Sequence, residues 1–123
     1  MAKILAVDDS RSLRRMVSFT LNQAGHEISE AENGREALAI AAEIPFDLVL
    51  MDVNMPELDG LETVKQLRRM PSYQSTPVLM LTTEASEEKK NEGRAAGASG
   101  WMVKPFSPEK LVSVVDRVLQ RQS

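Results

Sequence analysis

Short apolar runs alternate with segments whose apolar residues recur at helical spacing, five times along the chain. Ile4 to Val7 is a brief apolar run that stops at Asp8-Asp9. Leu13, Met16, Val17, Thr20, Leu21 and Ala24 then fall on one face of a helix, which Gly25 should end. Glu27 to Ala31 predicts a strand of mixed polarity. Asn33-Gly34-Arg35-Glu36 has the form of a cap with Glu three residues on, opening an Ala-rich helix to about Glu43. Phe46 to Met51 is the most apolar strand, as expected of one covered on both faces. Leu61, Val64 and Leu67 mark a third helix, Pro77 to Leu81 a fourth strand, Ser86 to Ala96 a fourth helix and Gly100 to Val103 a fifth strand. Ser107-Pro108-Glu109 supplies a cap and a first-turn Pro for a last helix, whose apolar face is Leu111, Val114, Val115 and Val118. This order predicts a parallel α/β sheet with right-handed crossovers and helices on both faces.

Length and composition narrow the function classes. With 123 residues the expectation is a single domain over 1–123 with no output domain. There is no Cys, which removes disulfides and thiolate metal sites. Met1 to Val7 is too short an apolar run for a signal peptide, and no stretch approaches the ~18 residues of a membrane helix. The chain is therefore expected to be cytoplasmic and free of the membrane. A net charge of −3 with interspersed signs, and only one Trp, one Tyr and three Phe, argue against a nucleic-acid platform.

In parallel sheets of this kind, ligands bind outside the carboxyl ends of the strands. The residues predicted there are Asp8-Asp9, Asp52, Thr82-Thr83 and Lys104-Pro105. Three carboxylates, a hydroxyl and an ammonium would share one cleft. Two like charges ~4 Å apart repel by about 4 kcal/mol at an effective dielectric of ~20, more than one lysine offsets for three acids. An all-oxygen donor set of this kind suits Mg²⁺. A carboxylate nucleophile flanked by such a metal and a lysine is equipped for phosphoryl transfer, with Thr82 able to donate to the attached group.

Val7-Asp8-Asp9-Ser10, Leu50 to Pro56, Asp59-Gly60, Leu81-Thr82-Thr83 and Val103-Lys104-Pro105-Phe106 resemble the receiver domain of response regulators in two-component signalling. The resemblance spans the whole chain and is nearest to the chemotaxis regulators of the CheY type, notably at Gly100 to Phe106. It implies a flavodoxin-like doubly wound (βα)5 fold with strand order 2-1-3-4-5. It implies Asp52 as phosphoacceptor, and Mg²⁺ held by Asp8, Asp9, Asp52 and the Asn54 backbone carbonyl. Lys104 would contact the phosphoryl group, with Lys104-Pro105 a cis peptide. Thr82 and Trp101 match the switch hydroxyl and aromatic, and Asn54 with Glu84 the pair that tunes dephosphorylation. Thr83 stands where Ala or Gly is usual, narrowing access for donors, and Trp101 replaces the commoner Tyr or Phe. The implied partners are a histidine kinase and an effector such as the flagellar motor switch, bound by a monomer that catalyses only its own phosphorylation and dephosphorylation.

Other readings differ in testable ways. A relay intermediate or phosphate sink would lack an effector. An Asp-nucleophile phosphatase would place a second Asp two residues after the first, where this chain has Asn54. A flavin carrier would cradle phosphate where Asp8-Asp9 instead repels it. His26, at a loop–strand junction, reads as a surface residue. The fourth helix has almost no apolar stripe and a mid-helix Gly93, which marks it as a moving part. Val112 and Leu119 widen the face of the last helix, either as core or as a docking edge.

Overall fold

The computed structural model describes residues 2–53, 55, 58–83 and 86–120. The strands are β1 (Lys3–Val7), β2 (Glu27–Ala31), β3 (Leu48–Asp52), β4 (Val78–Thr82) and β5 (Gly100–Val103). Between and after them run α1 (Arg11–Gln23), α2 (Gly34–Glu43), α3 (Gly60–Arg69), α4 (Glu87–Ala96) and α5 (Pro108–Gln120). The sheet is parallel throughout, in the expected order β2-β1-β3-β4-β5.

Central position explains composition. All five residues of β3 and of β4 are buried, and both strands are apolar up to the polar residue that closes them. Edge strand β2 keeps two exposed glutamates. One core layer, with Val64, Leu67, Val49 and Met80, lies under α2, α3 and α4. The other, with Val17, Leu21, Leu50, Leu111 and Val115, lies under α1 and α5. Val112 and Leu119 are partly buried against this second layer.

The helix starts follow their capping chemistry. Ser10, Asn33, Asp59 and Ser86 each accept a hydrogen bond from the backbone N–H three residues on. Strand limits shift slightly from the apolar pattern. β3 begins at Leu48, because the Asp47 N–H bonds to the Lys3 carbonyl outside the ladder. β4 begins after Pro77, which has no N–H to give. A 3₁₀ turn at Pro71–Tyr73, which the apolar pattern does not signal, buries Tyr73 between α2 and the sheet.

His26 is not a surface residue. Its side chain is 10% exposed, and its Nδ1 accepts a hydrogen bond from the Ala2 N–H at 3.2 Å. Its Nε2 lies 3.7 Å from Asp116 of α5. The pull is tertiary: the β1 entry and α5 close over a residue that local sequence places in a loop. Among the described residues no helix is long and apolar enough to cross a membrane.

Candidate functional site

Asp8 and Asp9 follow β1 directly, Asp52 and Thr82 close β3 and β4, and Lys104 follows β5. The parallel register sets these ends side by side: Asp52 pairs with Leu81, and Thr82 with Val103. Asp8, Asp52 and Thr82 are 2–3% exposed, whereas Asp9 faces solvent. Each of the three acids offers an oxygen within 4.8 Å of the others.

Lys104 crosses the cluster. Its Nζ donates to Asp8 Oδ2 at 2.7 Å and to Asp52 Oδ1 at 3.0 Å. The Lys104 N–H also bonds to the Thr82 carbonyl at 2.7 Å, and the Lys104-Pro105 peptide is cis. Gly60 packs against the backbone carbonyl of Asp52, a place where any Cβ would collide, so the start of α3 can close on the end of β3. That contact, together with the Asp59 cap on the Glu62 N–H, accounts for the Asp59-Gly60 pair.

The electrostatics are unbalanced. Burial raises the Asp52 carboxyl; the hydrogen bond from Lys104 pulls it down, but the charge of Asp8 adds to the rise, and it settles at about 6 against an ordinary 3.8. Burial alone would lower the Lys104 ammonium, yet its bonds to Asp8 and Asp52, with their charges, hold it above its ordinary value. A carboxylate that ionises reluctantly beside two others is a strained anion, and a hard cation relieves it. The donor chemistry fits: three carboxylates within reach of one point are oxygen ligands of the kind Mg²⁺ takes.

Trp101 stands half-buried on β5 at the α4 face. Its ring lies against Gly93, where a Cβ would collide with the indole. The mid-helix glycine is thus a seat for the ring, whereas a Cβ on Gly100 would meet Leu79. The buried indole Nε1 has no hydrogen-bond partner among the described residues. Thr83 is exposed beside the cleft. Asn54 and Glu84, the expected carbonyl ligand and tuning pair, lie outside the described residues.

Arg14 and Arg68 carry no motif and were not among the candidates. Arg14 reaches the Asp8 carbonyl, and Arg68 binds backbone carbonyls at the far end of the sheet. Backbone carbonyls have no sequence signature, so neither contact was legible in the chain.

Residues 4–116 match the family of the response regulator receiver domain. The chain is 58% identical to chemotaxis response regulator CheY4 of Vibrio cholerae, whose structure superposes with a TM-score of 0.93 over 96% of this chain and 98% of that one. It is 41% identical over 121 residues to transcriptional regulatory protein ResD of Bacillus subtilis, covering 98% of this chain and 49% of that protein. Against transcriptional regulatory protein SrrA of Staphylococcus aureus the identity is 39%, over 97% of this chain and 48% of the relative. The chain spans about half the length of these curated relatives.

Proposed function

The chain belongs to the response regulator receiver family, and from that premise we propose that Asp52 accepts a phosphoryl group from a histidine kinase and so switches a partner-binding surface. The observation that carries the reading is the Lys104 ammonium bridging Asp8 and Asp52 inside a three-carboxylate cluster. An Asp52 carboxylate oxygen attacks the phosphorus, the bond to the donor imidazole breaks, and an acyl phosphate forms. Mg²⁺, held by Asp8, Asp9 and Asp52 with the Asn54 carbonyl, would supply neutralising charge to the transferring oxygens. Lys104 would leave its carboxylates for a phosphoryl oxygen, and Thr82, buried at the end of β4, would donate to another. Asn54 and Glu84 would set how fast water removes the group. The only chemistry assigned to the chain is this gain and loss of its own phosphoryl group.

The output is read from α4, β5 and α5. Movement of Thr82 toward the phosphoryl group frees volume beside β5, where Trp101 stands. The protein is taken as a cytoplasmic monomer, and the likeness to a chemotaxis regulator supports an effector such as the flagellar motor switch. The longer transcriptional regulators support a second reading, in which the same domain controls an attached output unit. A relay role without an effector is the third. Incubation with acetyl phosphate should give hydroxylamine-labile label in Mg²⁺ but not in EDTA. The labelled protein should then be retained by a motor switch protein; transfer of label to a second histidine protein instead would favour the relay, and no label in Mg²⁺ would remove the premise of all three.

A further inference from the structure

Every polar atom of Asp8 is held. Its N–H bonds to the Ala31 carbonyl at 3.1 Å, Oδ1 accepts from the Ser10 N–H at 2.8 Å, and Oδ2 meets Lys104 at 2.7 Å. Its carbonyl oxygen accepts from Arg14 Nη1 at 2.6 Å. That last bond stands where the ladder gives out: β2 ends at Ala31 and the chain turns into α2, so no further N–H of β2 is opposite the Asp8 carbonyl. Arg14 itself is fixed. Its Nε donates to Glu30 of β2 at 3.2 Å, and Ser18, one turn on in α1, donates to the other oxygen of Glu30 at 2.9 Å. The Arg14 side chain is 12% exposed.

We propose that Arg14 is a positioning residue for the acidic cluster: its grip on the Asp8 carbonyl fixes the Asp8–Asp9 peptide and so aims both carboxylates at the cation. The peptide joins the two acids, and its rotation would swing Asp9, which is exposed, away from Asp8 and Asp52. A guanidinium bond to a carbonyl is charge-assisted and directional, which suits it to hold a peptide plane. The fork shape lets one side chain take Glu30 and the carbonyl together, and lysine cannot copy that. The inference rests on the metal-binding role of the cluster.

Charge and position make opposite forecasts here. Removing a cation near three carboxylates should, by Coulomb's law alone, tighten Mg²⁺ binding. Loss of positioning should weaken it. Calorimetric Mg²⁺ titration of the full chain at pH 7.5 and fixed ionic strength separates them. Arg14→Ala is expected to weaken binding roughly tenfold, the scale seen when groups behind metal ligands are lost. Arg14→Lys, which keeps the charge, should also weaken it. Val115→Ala, a core change remote from the site, should lower the melting temperature and leave the affinity alone. If Arg14→Ala does not fold, Glu30→Asp carries the test, because it keeps the charge while drawing the carboxylate back from Arg14, and it should weaken binding two- to threefold by roughly the same logic. Equal or tighter binding by the folded variant overturns the proposal while the metal site stands. Absence of Mg²⁺ binding by the unaltered chain overturns both.

Discussion

At the carboxyl end of the sheet, Asp8 and Asp52 sit 3% exposed and lean on the same Lys104 ammonium, with Asp9 beside them. At the opposite end, buried polarity is matched bond for bond. The Tyr73 hydroxyl accepts from the Phe46 N–H at 3.2 Å and lies 2.8 and 2.6 Å from the carbonyls of Ala41 and Ile44. Arg68 donates to the carbonyls of Tyr73 and Thr76 at 2.6 Å each, and to that of Gly97 at 2.8–3.0 Å. These acceptors lie just before β4 and at the C-terminal end of α4, where a cation also suits the helix dipole. One end stores repulsion that a ligand can relieve; the other spends its polar groups on joining four segments of chain. The anchored C-terminal end of α4 contrasts with its N-terminal end, where the cap is the helix's own Ser86. Movement of α4 is therefore expected to be a pivot about Gly97.

The largest effect should come from cutting the matched end. Arg68→Ala strands three carbonyls at once; a charged hydrogen bond contributes about 1.5–3 kcal/mol, and because water enters the space the side chain leaves, a net loss of about 3–4 kcal/mol is expected in urea unfolding. Phosphoryl uptake by the folded fraction should persist, since no partner of Arg68 belongs to the acidic cluster. A loss of uptake at full folding would break the separation between the two ends.

Next in size is the ligand effect. Mg²⁺ at a hundredfold excess over its Kd should add about 2.7 kcal/mol to the unaltered chain. The gain should disappear in Asp8→Asn and remain in Arg68→Ala. Tyr73→Phe follows, with about 2 kcal/mol lost because the Phe46 N–H is left buried without its acceptor. Its response to Mg²⁺ should be unchanged.

The remaining effect is a pH dependence at the unbalanced end. Asp52 titrates near 6 in the fold against 3.8 ordinarily. Below about pH 4 the carboxyl is protonated in both folded and unfolded chains and contributes no difference. Between pH 4 and 6 the unfolded chain ionises first, so the metal-free fold loses stability as pH rises and keeps that loss above the window. Unfolding in EDTA should show Asp52→Asn gaining on the unaltered chain from pH 4 to 6 and holding a constant lead above. A lead that shrinks as pH rises would mean that Lys104 outweighs burial.

The contrast also explains what the sequence could reveal. Asp8, Asp52, Thr82 and Lys104 were legible because strand ends are marked by a change from apolar to polar, and parallel topology brings those ends together. Asn33 and Ser107 were legible because capping is local. Tyr73, Arg68 and Arg14 were not, since their partners are backbone carbonyls or side chains reached through tertiary contact. His26 was misplaced for the same reason: its partner Ala2 is 24 residues away. Gly93 was read as a weak point in a helix, yet Trp101, one strand on, gives it a packing role.

The most direct measurement is the position of the acquired group. The chain, charged with acetyl phosphate in Mg²⁺, would be trapped with borohydride, which reduces an acyl phosphate to an alcohol, and then mapped by peptide mass spectrometry. Homoserine at position 52, absent from the EDTA control, is the expected result. Reduction at Asp8 or Asp9, or at no acidic residue while the chain still gains a phosphoryl group, would contradict the assignment of Asp52.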